Sequence, residues 1–198
     1  AQLLSYVEKA GRISGLLQGL SPEVRTEMTI DMMVSEAIKT SEIEGEYLSR
    51  KDVMSSIRLN LGLPTSSTNI PDQRAQGVAE LMIDVRESYA EPLSEDMLFR
   101  WHKMLMGSGS KINVGGWRTH VEPMQVVSGP IGRQKVHYEA PPSGSVPKEM
   151  SHFIDWFNDQ CSNGNQTITR SVINAAIAHV YFETIHPFEA VSYTHLRA

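Results

Sequence analysis

Apolar residues at the start of the chain recur at steps of three and four. Leu3, Leu4, Val7, Ala10, Ile13 and Leu17 fall on one side of a helix. Helix restarts at "LSPEVRTEM", with Ser21 placed to cap, Pro22 at the first helical position and acids in the first turn. It extends to about Ile43 and stops at Gly45. Ser49 caps a shorter helix that closes near Gly62 and Pro64. "PTSSTNIP", from Pro64 to Pro71, is rich in turn-formers with little to bury, and a subdomain boundary is predicted there. Asp72 to Tyr89 is again helical, with Val78, Leu81, Met82 and Val85 on one face, and Ser94 caps the next helix, "LSEDMLFRWHKMLM". The period then changes. "PMQVVSGPIGRQKVHYEAPP" holds two short β-prone runs around "SGPIG", fenced by Pro123, Pro141 and Pro142. "VPKEMSHFIDWFND" and "TITRSVINAAIAHVYFETIH" return to helix. The predicted fold is mostly α with one hairpin. A lone hairpin is weak by itself, so it must lie on the helices or have a job that tolerates mobility.

Composition narrows the function classes. The 198 residues suffice for one large domain or two small ones, and at 40 % hydrophobic they can bury a sizeable core. Lys and Arg total 18 against 23 Asp and Glu, a net charge of −5 that argues against nucleic acid as the partner. The single cysteine, Cys161, cannot form an internal disulfide, so a reducing, cytoplasmic setting is expected. No apolar run approaches the roughly 20 residues of a membrane span, and no signal segment opens the chain. The chain begins without Met and inside a helical pattern, which predicts a fragment at the front. There is no internal repeat.

Three features could carry chemistry. The last helix places Val172, Ala175, Ala176, His179, Phe182 and Ile185 along one stripe, and Pro187 disfavours helix at the following His186. A histidine leaving a helix for a loop is suited to act as a base, because it titrates near neutrality. Histidine at a helix end is also a common cap or packing residue, and by itself the pattern favours that plainer role. The hairpin strands carry Val126 and Val127 on one side and Lys135, Val136, His137 and Tyr138 on the other. They can cover the core or accept an extended peptide by strand addition. In "TSEIEGE", Glu42, Glu44 and Glu46 fan over different faces of a helix end. They are either a solvated terminus or, since acids are disfavoured there, a sign that one has a partner elsewhere. His102, His120, His137, His152 and His179 show no metal-ligand spacing and read as structural or surface residues.

Together and in this order, the three features resemble the Fic-domain proteins, nucleotidyl transferases that mostly move AMP from ATP to a protein hydroxyl. The family motif is His-x-Phe-x-(Asp/Glu)-Gly-Asn-Gly-Arg-x-x-Arg. "TIHPFE" matches its opening through His186, Pro187 and Phe188. "GGWR" (Gly115 to Arg118), followed by the hairpin, is similar to the family's lead-in and target-docking flap. "TSEIEG" matches the inhibitory signature (Ser/Thr)-x-x-x-Glu-(Gly/Asn) with Thr40, Glu44 and Gly45. The resemblance implies a Fic-type helical bundle with a hairpin flap over 72–189, preceded by a small helical domain over 1–63. It implies that His186 takes the proton from a Ser, Thr or Tyr hydroxyl, which attacks the α-phosphate of ATP as diphosphate leaves. The acid after "HPFx" would hold Mg²⁺, and Gly-Asn-Gly would cradle phosphate at a helix start. The flap would pair with the target's backbone. Glu44 would pair with the motif's second arginine and keep it from the γ-phosphate. The expected partners are ATP and a hydroxyl-bearing protein, with neither nucleic acid nor membrane. A homodimer is among the assemblies the resemblance allows.

The match stops after Glu189. Position 190, where the metal acid is expected, is Ala190, followed by Val191, Ser192, Tyr193 and Thr194 in place of Gly-Asn-Gly-Arg. Glu189 is an acid but stands one position early, and β-branched residues cannot replace glycine where φ must be positive. "AVSYTHLRA" can be encoded by GCTGTCTCTTATACACATCTCCGAGCC, which contains a stretch resembling the transposon end used as a sequencing adapter. Residues 190–198 are therefore expected to be a non-native tail. Sequencing the source DNA across this junction tests it, and a genuine genomic frame through these codons would refute it. The chain as written is expected to bind ATP and Mg²⁺ poorly and to be inactive, while the resemblance implies that its parent is an autoinhibited enzyme. The alternative is a helical binding module or pseudoenzyme that docks a peptide on the hairpin.

Overall fold

The computed structural model describes residues 2–43, 45–65, 69–107, 112–130, 133, 135–162 and 168–189. Glu44 and the tail 190–198 lie outside the described residues. Among those described are seven α-helices, a short 3₁₀ turn and a two-stranded antiparallel sheet, the mostly helical fold that the hydrophobic pattern predicts. The chain forms two compact units, Ala1–Glu91 with Met104–Gly107, and Pro92–Lys103 with Ser108–Ala198.

The first unit contains α1 (Gln2–Gln18), α2 (Pro22–Ile43), α3 (Arg50–Asn60) and α4 (Gln73–Ser88). Helix α3 packs against both α2 and α4. Their inward faces supply a core of Ile30, Met33, Val34 and Ala37, Val53 and Ile57, and Ala75, Ala79 and Ile83. Capping follows the sequence closely. The Ser49 hydroxyl accepts from the Asp52 amide, and Asp72 accepts from that of Arg74. Gly45 sits at φ +79°, its N–H donating to Glu42 and that of Glu46 to Ser41, the paired bonds that close a helix on a glycine. The stretch 64–71 joins α3 to an α4 that packs on it, so packing groups α4 with the helices before the turn-rich segment. The stripe on α1 is narrower than its sequence period. Leu3, Val7, Ala10 and Leu17 are half-buried, whereas Leu4 and Ile13 are exposed.

Gly77 permits a close approach within this unit. A Cβ at this position would run into the Met104 carbonyl oxygen, with the carbonyl carbon only 3.0 Å away. The obstacle is backbone, which cannot swing aside. Gly77→Ala should therefore destabilise the unit by about 1–3 kcal/mol, the usual cost of overpacking. This would be read as a lower urea midpoint, and an unchanged midpoint would contradict the packing.

The second unit contains α5 (Glu95–Met106, whose last residues group with the first unit), β1 (Gln125–Ser128), β2 (Lys135–Glu139), α6 (Val146–Ser162) and α7 (Ile168–Ile185). Its core joins Leu93, Met97 and Leu98 to Trp117, Val146, Met150, Phe153, Ala178 and Ile185. Phe153 meets Tyr181 edge-on at 5.3 Å and Phe182 at 5.7 Å, which holds α6 to α7. The inward face of α7 differs from the predicted stripe. Ala178 and Ile185 are buried and Tyr181 and Phe182 half-buried, but Ala175, Ala176 and His179 are exposed, as are Ile173, Ile177 and Val180. Helix α7 is apolar on every side, so periodicity alone does not select its buried face.

Candidate active site

The site is built where α7 ends. The His186 N–H donates to the Phe182 carbonyl at 3.0 Å, continuing the helical bonding onto the histidine. The backbone then turns to φ +48° at His186, the sole non-glycine with positive φ among the described residues. Such a conformation costs on the order of 1–3 kcal/mol and persists only where the surroundings enforce it. Pro187, which follows, is buried.

The enforcing groups come from the segment 113–119. Arg118, only 2 % exposed, donates from Nε to the His186 carbonyl at 2.7 Å and from a terminal nitrogen to the Ile185 carbonyl at 3.3 Å. Its backbone N–H donates to the Pro187 carbonyl at 2.9 Å. The guanidinium also donates to the Pro141 carbonyl and, at 2.8 Å, to the Ser143 hydroxyl, which itself donates to the His120 carbonyl. One residue beyond the His-Pro-Phe triplet, the Glu189 carboxylate accepts from the Asn113 amide at 3.0 Å and from the Thr119 amide at 3.3 Å. Phe188 lies between them, stacked on His102 at 4.2 Å and packed on Trp117 at 5.2 Å. The motif loop is thus held by side chain, backbone and ring contacts at successive residues.

Burial sets the charge states. It pushes the His186 pKa down. Nearby Glu183 opposes that shift, while Arg118 and His120 add to it. Burial likewise lowers His102, against an upward pull from Glu189. His102 Nδ1 accepts from the Gly115 amide at 3.0 Å, leaving Nε2 buried and without a hydrogen-bond partner among the described residues. The amide of Asn113 is the largest influence holding Glu189 below its ordinary value. The two histidines favour the neutral form when folded. Their contribution to stability is whole above about pH 6.5 and is lost as pH falls from there through their lower native values. The unfolding temperature of the second unit should therefore drop between about pH 7.5 and about pH 5.5. A flat profile in scanning calorimetry would contradict the burial of these rings.

Strand β2 is exposed along its whole length, whereas in β1 Gln125 is exposed and Val126, Val127 and Ser128 are half-buried. Val126 pairs with Tyr138, Val127 with Val136 and Ser128 with Lys135, with a register shift between Val126 and Val127. His137 lies at that irregularity, and its Nε2 is 2.6 Å from the Ser128 hydroxyl. Tyr138 ties β2 to α7 by donating to the Thr184 carbonyl at 2.7 Å. All six flap residues singled out in the sequence lie on these two strands.

Other candidates fall elsewhere. Thr40 lies near the exposed end of α2, its hydroxyl 3.4 Å from the Glu36 carboxylate. Of the three acids there, Glu42 pairs with Lys39 and Glu46 with Arg74, each at 2.6 Å, while Glu44 is outside the described residues. Among the described residues no cluster of three or more His, Cys, Asp or Glu could hold a metal ion. Glu189 precedes position 190 in the chain, and both its oxygens accept from amides of the 113–119 segment. The described residues therefore present no ligand set that fits Mg²⁺. In the sequence "GGWR" is legible only as a lead-in, and the contacts of Arg118, Glu189 and His102 are not. No helix among the described residues is long and apolar enough to cross a membrane.

This helical bundle, with a histidine loop beneath a tethered hairpin, has relatives. Residues 92–190 match the model of the Fic/DOC family, and the chain belongs to that family. Residues 1–63 match a domain of unknown function, DUF4172. The fold is similar to the crystal structure of a Fic-domain-containing signalling protein from Bacteroides thetaiotaomicron, with a TM-score of 0.63 and 20 % sequence identity. The alignment covers 96 % of this chain, which spans 65 % of that protein. No curated protein matches the sequence.

Proposed function

We propose that the parent of this chain is a protein adenylyltransferase that uses ATP to modify a Ser, Thr or Tyr hydroxyl of another protein, with Glu44 acting as a brake. The observation that carries this reading is His186. It is a partly buried, neutral-leaning imidazole at a helix end whose ring makes no hydrogen bond among the described residues, and its backbone is held in a strained conformation. A base needs an available ring nitrogen that is unprotonated at the working pH. In the reaction, His186 accepts the hydroxyl proton, the hydroxyl oxygen bonds to the α-phosphorus, and the bond to diphosphate breaks. The exposed edge of the hairpin suits main-chain pairing with the target segment.

The test is to incubate the parent protein, with its motif intact, with candidate protein targets and ATP labelled on either the α- or the γ-phosphate. Adenylyl transfer leaves the α label on protein and the γ label in diphosphate. Capture of the γ label alone would overturn the reading in favour of phosphoryl transfer, and capture of neither would count against any transfer. The chain as written, with Ala190 after Glu189, is expected to give no labelling. A second reading, a peptide-docking module, is favoured for this chain by the fully exposed β2. Clear ATP binding by calorimetry would count against it.

A further inference from the structure

Arg118 is anomalous. It is among the largest fully buried side chains, yet it forms no ion pair among the described residues. Buried cations ordinarily have an acid beside them, because neutral oxygens compensate the lost hydration poorly. Burial accordingly pushes its own pKa down. The acceptors Arg118 does have are on two segments. The Ile185 and His186 carbonyls belong to the end of α7, and Pro141 and Ser143 belong to the chain leaving β2. Only a planar fork of five donors can reach all four, and lysine has neither the shape nor the reach.

We propose that Arg118 is the positioning residue for His186: its guanidinium holds the strained 185–187 backbone and locks the exit of the hairpin to the same point. The role rests on the reading of His186 as the base. Holding both carbonyls fixes where the imidazole points. The Tyr138 bond to Thr184 adds a second tie between β2 and the end of α7, so the hairpin and the base share one frame. The charge also matters. Of the groups acting on His186, Glu183 favours its protonated form, whereas Arg118 and His120 favour the neutral one.

Three variants and three kinds of measurement test this. Arg118→Lys keeps the charge and loses the fork. Ser143→Ala keeps the arginine and removes one acceptor, should the first variant fail to fold. In the parent enzyme, either variant that stays folded should lower kcat, by about 10- to 100-fold for Arg118→Lys, with KM for ATP unchanged. Arg118→Met, which also removes the charge, should move the acid limb of the pH–rate profile upward. A merely structural residue would lower the folded fraction without moving that limb. In the 198-residue chain, the three-bond amide-to-α-proton NMR coupling of His186 reports its φ without requiring catalysis. It should change in Arg118→Lys and less in Ser143→Ala. An unchanged coupling in a folded variant overturns the positioning role. A changed coupling in a parent that transfers nothing keeps that role and refutes only the transferase reading.

Discussion

His186→Ala should lower adenylyl transfer by the parent protein by about 10²–10⁴-fold, the range a positioned general base supplies. The loss should appear in kcat, because the proton moves in the transition state and the ring contributes little to holding ATP beforehand. Binding of ATP, followed by calorimetry, should stay near the wild-type value. The thermal midpoint should change little. Alanine suffers the same left-handed backbone as histidine, so the strain at φ +48° stays. Labelling of the target at the wild-type rate would sink the assignment of the base. A collapse of ATP binding together with rate would instead make His186 a ligand-binding residue.

Glu44→Gly should act in the opposite direction, raising target labelling by about 5–150-fold, the span of a coupling free energy of 1–3 kcal/mol. The brake reading rests on the signature Thr40, Glu44 and Gly45, together with the fate of the neighbouring acids. Glu42 and Glu46 have their own cations, Lys39 and Arg74, so the local charge on either side of Glu44 is already paired. The gain should appear mainly as tighter productive binding of ATP, since a brake biases a two-state equilibrium and does not change the chemical step. Combining Glu44→Gly with His186→Ala should return labelling to background. No gain in the single variant would remove the inhibitory role while leaving the transferase intact.

Helix and hairpin positions were legible because their signals are local. Ser49 and Asp72 cap, Gly45 and Gly62 terminate in the left-handed region, and the β-prone runs pair where expected. The facing of α7 was not legible. Isoleucine, valine and alanine occur on all its sides, so the buried face is chosen by Phe153 across the interface, a partner remote in sequence. The site divides in the same way. His186, Pro187 and Phe188 stand together in the chain, and motif resemblance finds them. Arg118 lies 68 residues from the His186 carbonyl it grips, and three of its four guanidinium acceptors are backbone carbonyls, which leave no mark in side-chain pattern. Glu189 read as a misplaced acid. Its amide acceptor role depends on the 113–119 loop folding back onto it.

The backbone at His186 sets activity against robustness. At most positions outside turns, glycine is the less stable choice than alanine, because it leaves the unfolded chain freer. At φ +48° the order should reverse, since glycine enters this region without the Cβ clash that alanine meets. His186→Gly and His186→Ala both lack the imidazole, so the gap between their melting temperatures measures what the protein gives up to hold its base in place. The glycine variant should be the sturdier of the two.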